Sequence, residues 1–144
     1  MAKTKLVIRG LILPGGMPHI AKLEEAEYTT WFLAGFKVNK IRKQFEKGKI
    51  GPQVSIVGHS LGANAAINAA NELAEAGMQV EVLALDPTYT NSVAGKVNRA
   101  IAVQSNDFRA REILGAKNIS RSDLNHMNMT RDKELVKLAI DILD

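Results

Sequence analysis

The segment GHSLG, residues 58 to 62, places a serine between two glycines, where an apolar run gives way to an alanine-rich stretch. A serine hydroxyl becomes a nucleophile when a base removes its proton and its oxygen stands clear of neighbouring side chains. A sharp turn from strand to helix provides that clearance, and it requires small flanking residues because the two elements approach closely. Gly58 and Gly62 meet that requirement, so the spacing predicts a nucleophile elbow at Ser60. The alternative is that Ser60 only caps the helix while the glycines form an ordinary turn.

The elements that would position this serine alternate between strand and helix. Runs of β-branched and aliphatic residues predict strands at 5–9, 53–58, 80–85 and 99–105. Apolar residues spaced three and four apart predict helices at about 24–47, at 61–76 and at 131–143, the last capped by Thr130. A short strand at 35–38 is an alternative within the first of these, and residues 13–20 are expected to form a loop. Such alternation predicts an α/β fold with three α/β/α layers, a mainly parallel sheet and one domain over residues 1–144.

Composition excludes several kinds of site. The chain has 144 residues, 46% hydrophobic and 24% charged, and it contains no cysteine, so disulfides and thiolate metal sites are excluded. It has neither a P-loop sequence nor the glycine spacing of a dinucleotide site, and no His/Asp/Glu cluster has metal-ligand spacing. We therefore expect no cofactor and no metal. Because no apolar run approaches the roughly 18 residues of a membrane span, a soluble cytoplasmic protein is predicted.

A basic segment at residues 37–49 carries six lysines and arginines against the single Glu46. One interpretation is a patch for nucleic acid or anionic lipid. The other is the solvated face of an amphipathic helix, which is favoured because few aromatic residues interleave with the charges for base stacking. No nucleic-acid partner is therefore expected.

Two segments carry a resemblance to a known superfamily. "VGHSLGA", residues 57–63, resembles the nucleophile segment of the α/β hydrolases, particularly their lipases and small esterase- or thioesterase-like members. "LALDPT", residues 83–88, is similar to the LDP segment of the pancreatic-lipase branch, in which that aspartate is the triad acid. The resemblance is strongest over residues 53–88. Because 144 residues are few for this superfamily and no insertion is long enough for a lid, the resemblance implies a minimal α/β-hydrolase fold with a trimmed sheet and no cap.

The resemblance also implies a catalytic triad in the chain order serine, acid, histidine. His126 is the only histidine downstream of Ser60 and becomes the candidate base. For the acid, the LDP segment favours Asp86, at the end of the predicted strand after the nucleophile helix. Asp107 occupies the more usual superfamily position and remains the alternative, with Asp123 third.

The resemblance further implies an oxyanion hole made by the backbone N–H groups of Leu61, directly after the nucleophile, and Leu11, in the loop after the first strand. His59 adjoins the serine and is expected to make a structural hydrogen bond. The function implied is a serine hydrolase of carboxylic esters or thioesters, acting on small or carrier-borne acyl groups through an acyl-serine. The alternative is a catalytically inactive binding module that uses the basic segment with Trp31, Phe32 and Phe36.

Overall fold

A parallel sheet with helices on both faces forms the framework of the chain. The computed structural model describes residues 2–10 and 15–144. The strands are β1 Thr4–Arg9, β2 Glu27–Thr30, β3 Gln53–His59, β4 Gln79–Leu85, β5 Arg99–Gln104 and β6 Lys117–Ser120. The helices are α1 Met17–Leu23, α2 Ala34–Glu46, α3 Leu61–Glu75 and α4 Lys133–Leu143, with a short 3-10 helix at Met129–Arg131.

The six strands lie in the order β2-β1-β3-β4-β5-β6, and each neighbouring pair is parallel. Their carboxyl ends therefore meet at one edge of the sheet, which we call the carboxyl edge. In the centre, Gly58 of β3 is in register with Ile8 of β1 and with Ala84 of β4. In open parallel sheets, binding and catalytic groups gather at this edge because the loops after adjacent strands converge there.

Two apolar cores, one on each face of the sheet, fix the three layers. One contains the inner faces of α2 and α3, where Ile41 and Leu73 are almost completely buried. The other contains those of α1 and α4, where Ile20 and Ile142 have no exposed surface. Strands buried on both faces consist of nearly continuous aliphatic residues, as in β3 and β4. The predicted α/β/α architecture is confirmed.

The central elements agree with the sequence patterns, whereas the region before β3 does not. The four predicted strands match β1, β3, β4 and β5 to within one residue at each end, and the helix predicted at 61–76 is α3. The helix predicted from residue 24 is wrong over residues 24–33, because residues 27–30 form β2 beside β1 and α2 begins only at Ala34. The strand considered at 35–38 is also wrong, since those residues lie in α2. Tyr28, Thr29 and Thr30 favour a strand, and pairing with β1 overrides the helical spacing of the apolar residues around them.

Two further local predictions are wrong, and one strand was not predicted. Residues 17–20, expected in a loop, begin α1, which tolerates Pro18 because the first turn of a helix needs no N–H donor there. The edge strand β6 is short and largely exposed, so it lacks the apolar pattern of a buried strand. Helix α4 is capped by Asp132, whose carboxylate accepts the Leu135 N–H at 3.1 Å, and not by Thr130. The Thr130 hydroxyl instead accepts the Gly16 N–H at 2.8 Å.

Candidate active site

Ser60 forms the turn between β3 and α3. Its backbone has φ 63° and ψ −128°, which a residue with a side chain rarely adopts. The Ser60 N–H donates to the Leu85 carbonyl at 2.9 Å, tying the turn to the end of β4. Strained backbone of this kind persists when the surroundings hold it in place, and it concentrates at functional sites.

The glycines around Ser60 are required by close packing of the main chain. A Cβ atom at Gly58 would lie 2.1 Å from the Gly62 carbonyl oxygen, and one at Gly62 would lie 2.4 Å from the Ile8 carbonyl oxygen. A Cβ at Gly10, after β1, would lie 2.9 Å from the Ser60 Cβ. The turn predicted from GHSLG is therefore present. Gly58 allows β3 to approach the start of α3, and Gly62 allows α3 to approach β1.

His126 lies beside Ser60 although 66 residues separate them. It belongs to the segment that joins β6 to the 3-10 helix, and its side chain is 12% exposed. Its Nε2 atom is 3.0 Å from the Ser60 Oγ, and its Nδ1 atom is 2.5 Å from Asp86 Oδ2. A carboxylate can only accept at Nδ1, so Nδ1 carries a proton and Nε2 of the neutral ring can accept the serine proton.

Asp86 is completely buried at the carboxyl end of β4, and its φ of 57° is also left-handed. Besides His126, it accepts hydrogen bonds from the Ser105 hydroxyl at 2.6 Å and the Ser105 N–H at 2.8 Å. Burial acts to raise the pKa of Asp86, but the hydrogen bonds from His126 and Ser105 outweigh it and leave the pKa below its ordinary value. The carboxylate is thus kept ionised in a buried position.

The two alternative acids bind arginines. Asp107 forms a bidentate pair with Arg109, at 3.0 and 3.1 Å, and hydrogen bonding from that arginine lowers the pKa of Asp107 to about 2. Asp123 pairs with Arg121 at 2.9 Å near the surface. Of the three aspartates considered from the sequence, the structure brings Asp86 to the Nδ1 atom of His126.

His59 makes the structural hydrogen bond that the sequence led us to expect. Its Nε2 donates to the backbone carbonyl of His126 at 2.8 Å, and the two rings lie 4.7 Å apart. Burial, followed by the nearby His126, lowers the pKa of His59 to about 4, so the ring is neutral. His59 therefore holds the segment that carries His126.

One of the two predicted oxyanion donors lies in the described part of the chain. Leu61 is the first residue of α3, so its N–H has no acceptor within the helix. This N–H is adjacent to Ser60 in the chain, at the positive end of the helix dipole. The second predicted donor, Leu11, lies outside the described residues.

Two residues of the site were missed by sequence reasoning. Ser105 directly follows β5, and that position at the carboxyl edge is the only signal that points to its contact with Asp86. Asn64 is a buried amide within the alanine-rich first turns of α3. It accepts the Thr88 N–H at 2.9 Å and donates to the Tyr89 carbonyl at 2.6 Å, which fixes the loop after Asp86.

Residues 2–10 and 15–144 contain neither a candidate metal centre nor a helix that could span a membrane. No group of three or more histidines, aspartates and glutamates in these residues is arranged to hold a metal ion. Likewise, none of the helices in them is long and apolar enough to cross a membrane.

Comparison with known proteins shows the fold and not the family. No family model matches the chain, and no curated protein matches it. A solved structure of an arylesterase is similar to the whole chain over 77% of its own length, with 10% identity and a TM-score of 0.57. A protein of Xanthomonas campestris pv. campestris described as an α/β-superfamily hydrolase matches 98% of this chain and 96% of its own, with 14% identity and a TM-score of 0.47. The chain has an α/β-hydrolase-like fold.

Proposed function

We propose that the protein is a serine hydrolase that cleaves carboxylic esters or thioesters through an acyl-serine intermediate. The observation that carries this proposal is the continuous hydrogen-bonded line from Ser60 Oγ through both ring nitrogens of His126 to the buried Asp86. Nucleophile, base and orienting acid stand in the order and at the distances that this chemistry requires.

In the first step, Ser60 Oγ attacks the acyl carbonyl while its proton passes to Nε2 of His126. The imidazolium formed is stabilised by Asp86, which stays ionised because of its own hydrogen bonds. Collapse of the tetrahedral intermediate expels the alcohol or thiol, which takes the proton from His126. Water, activated by the same ring, then releases the acid and restores Ser60.

The oxyanion of the tetrahedral intermediate would be bound by the Leu61 N–H, with Leu11 proposed as the second donor. The free N–H groups at the start of α3 support this assignment, since they favour negative charge next to Ser60. Loss of one such donor typically costs about 3 kcal/mol of transition-state stabilisation.

The experiment is turnover of p-nitrophenyl esters and acyl thioesters of increasing chain length by the wild type, Ser60→Ala and Ser122→Ala. Ser122 is an exposed serine and provides the matched control. We expect turnover by the wild type and Ser122→Ala but only background rates with Ser60→Ala. Lack of turnover by the folded wild type on every substrate would instead favour the inactive binding module.

A further inference from the structure

Helix α2 and its C-cap carry a stripe of one phenylalanine and three lysines on the side opposite the core. Phe36, Lys40, Lys43 and the C-cap residue Lys47 follow one another at intervals of four, three and four, so they lie on one face of the helix. All four are exposed, whereas Ala34, Val38 and Ile41 on the other side are buried. We call Phe32, Leu33, Phe36, Lys40, Lys43, Lys47 and Lys49 the lysine–phenylalanine face.

The charges of this stripe are not neutralised by neighbouring carboxylates. Elsewhere on α2, Lys37 pairs with Glu27 at 3.8 Å and Arg42 pairs with Glu72 at 2.8 Å. Within residues 2–10 and 15–144, the lysines of the face have no carboxylate oxygen within 4.0 Å. They line a shallow groove of about 300 Å³ together with Phe36, Asn39 and Gln44. The face thus concentrates positive charge that a ligand could neutralise.

Large apolar side chains are exposed at the amino-terminal end of the same stripe. Phe36 is 76% exposed, Phe32 59% and Leu33 42%. They follow β2 at the carboxyl edge, where the Trp31 N–H donates to the Arg9 carbonyl at 3.0 Å. Gly10, next in the chain to Arg9, packs against Ser60. The apolar end of the face therefore lies at the same edge of the sheet as the candidate nucleophile.

We propose that the lysine–phenylalanine face binds an anionic lipid surface, with its lysines on the headgroups and its phenylalanines in the acyl boundary. Clustered lysines are attracted to anionic leaflets, and neighbouring Phe and Leu side chains gain free energy by leaving water at that boundary. A groove for single-stranded nucleic acid would instead need aromatic side chains between the charges for base stacking, whereas here they lie at one end. The consequence that the substrate is an ester presented at such a surface rests on the proposed function.

The test is co-sedimentation with vesicles of phosphatidylcholine alone and of phosphatidylcholine with about one third phosphatidylserine. We expect binding to the anionic vesicles only, weakened by salt. Lys40→Gln/Lys43→Gln/Lys47→Gln should weaken it about 100-fold, at about fivefold for each lysine. Phe32→Ser/Phe36→Ser should weaken it at least about tenfold, because apolar insertion is lost.

The matched control removes the same charge from exposed lysines outside the face, with Lys22→Gln/Lys117→Gln/Lys137→Gln. Equal weakening by this control, equal binding to both vesicle types, or no binding would overturn the proposal. The proposal would also be overturned if a single-stranded oligoribonucleotide bound more tightly than the anionic vesicles and if Phe32→Ser/Phe36→Ser left that binding unchanged. Repeating the assay with Ser60→Ala separates the two proposals, because vesicle binding should not depend on the Ser60 hydroxyl. If the protein proves not to be a hydrolase, vesicle binding is still expected.

Discussion

The turn that carries Ser60 and the segment that carries His126 are held in place by different forces. The turn is fixed by main-chain atoms in contact, where Gly58 and Gly62 leave no room for a Cβ. The His126 segment, residues 121–132, is fixed by polar side chains. Arg121 reaches Asp123, Asp132 and Glu134 at 2.9 to 3.2 Å, and His59 donates to the His126 carbonyl.

Because of this difference, we expect the turn and the His126 segment to respond differently to salt and pH. A turn fixed by steric contact either forms or fails, and neither salt nor pH alters it much because no charge holds it. A segment fixed by hydrogen bonds and ion pairs can loosen by degrees and responds to both conditions. Within one site, the position of Ser60 is therefore rigidly specified, and the position of His126 is adjustable.

The largest effect should come from Asp86→Asn, which removes the charge that orients His126. We expect kcat for ester hydrolysis to fall by about 10⁴-fold, because the amide can stabilise the wrong tautomer of the ring and cannot stabilise the imidazolium. Steady-state kinetics measures the loss, and circular dichroism shows whether the fold persists. A decrease of less than about tenfold in a folded variant would assign the role of the acid to another carboxylate.

Gly58→Ala tests the steric half of the comparison. The new Cβ would lie 2.1 Å from a backbone oxygen that cannot move independently, so the free energy of unfolding should fall by more than about 3 kcal/mol. Gly35→Ala is the matched control, since nothing lies within 4 Å of its Cβ position in α2. It should raise stability by about 0.5–1 kcal/mol. Similar urea midpoints for the two variants would contradict the steric account.

His59 provides a pH test of the polar half. Its pKa is about 4 in the folded chain against an ordinary value of 6.5, so between these values the unfolded chain binds the extra proton. Stability attributable to His59 is therefore full above pH 6.5 and declines as the pH falls toward 4, by about 3 kcal/mol in all. Urea unfolding at about pH 7 and about pH 4.5 should show this decrease in the wild type and much less of it in His59→Gln. An equal decrease in the free energy of unfolding of the wild type and of His59→Gln would mean that other titratable groups cause the loss of stability.

Arg121→Gln should have the smallest effect. Loss of its ion pairs loosens the segment around His126, and we expect kcat to fall by less than about tenfold because these pairs are near the surface and screened. The wild-type rate should approach that of the variant as salt rises. A salt-independent difference between the two would argue against an electrostatic role.

The sequence predicted best those parts whose patterns are local. The buried strands, the turn at residues 58–62 and helix α3 each follow from apolar runs and close glycine spacing. Strand β2 was missed because its pairing with β1 is decided by tertiary contact, and β6 because an exposed edge strand has no apolar signature.

Within the site, Asp86 and His126 were identified with help from a resemblance, since no local pattern brings residues 40 positions apart together. The contacts of Ser105 and Asn64 depend on how the loops after neighbouring strands meet. No pattern within either segment predicts that arrangement. The placement of Leu11 and the cytoplasmic location remain predictions.

The most direct measurement is mass-spectrometric localisation of a fluorophosphonate adduct after brief exposure of the folded protein. We predict one adduct, on Ser60, that is absent in Ser60→Ala and forms far more slowly in His126→Ala. Failure of Ser60 to react, or a rate of reaction unchanged without His126, would contradict the claim that these two side chains form an activated nucleophile.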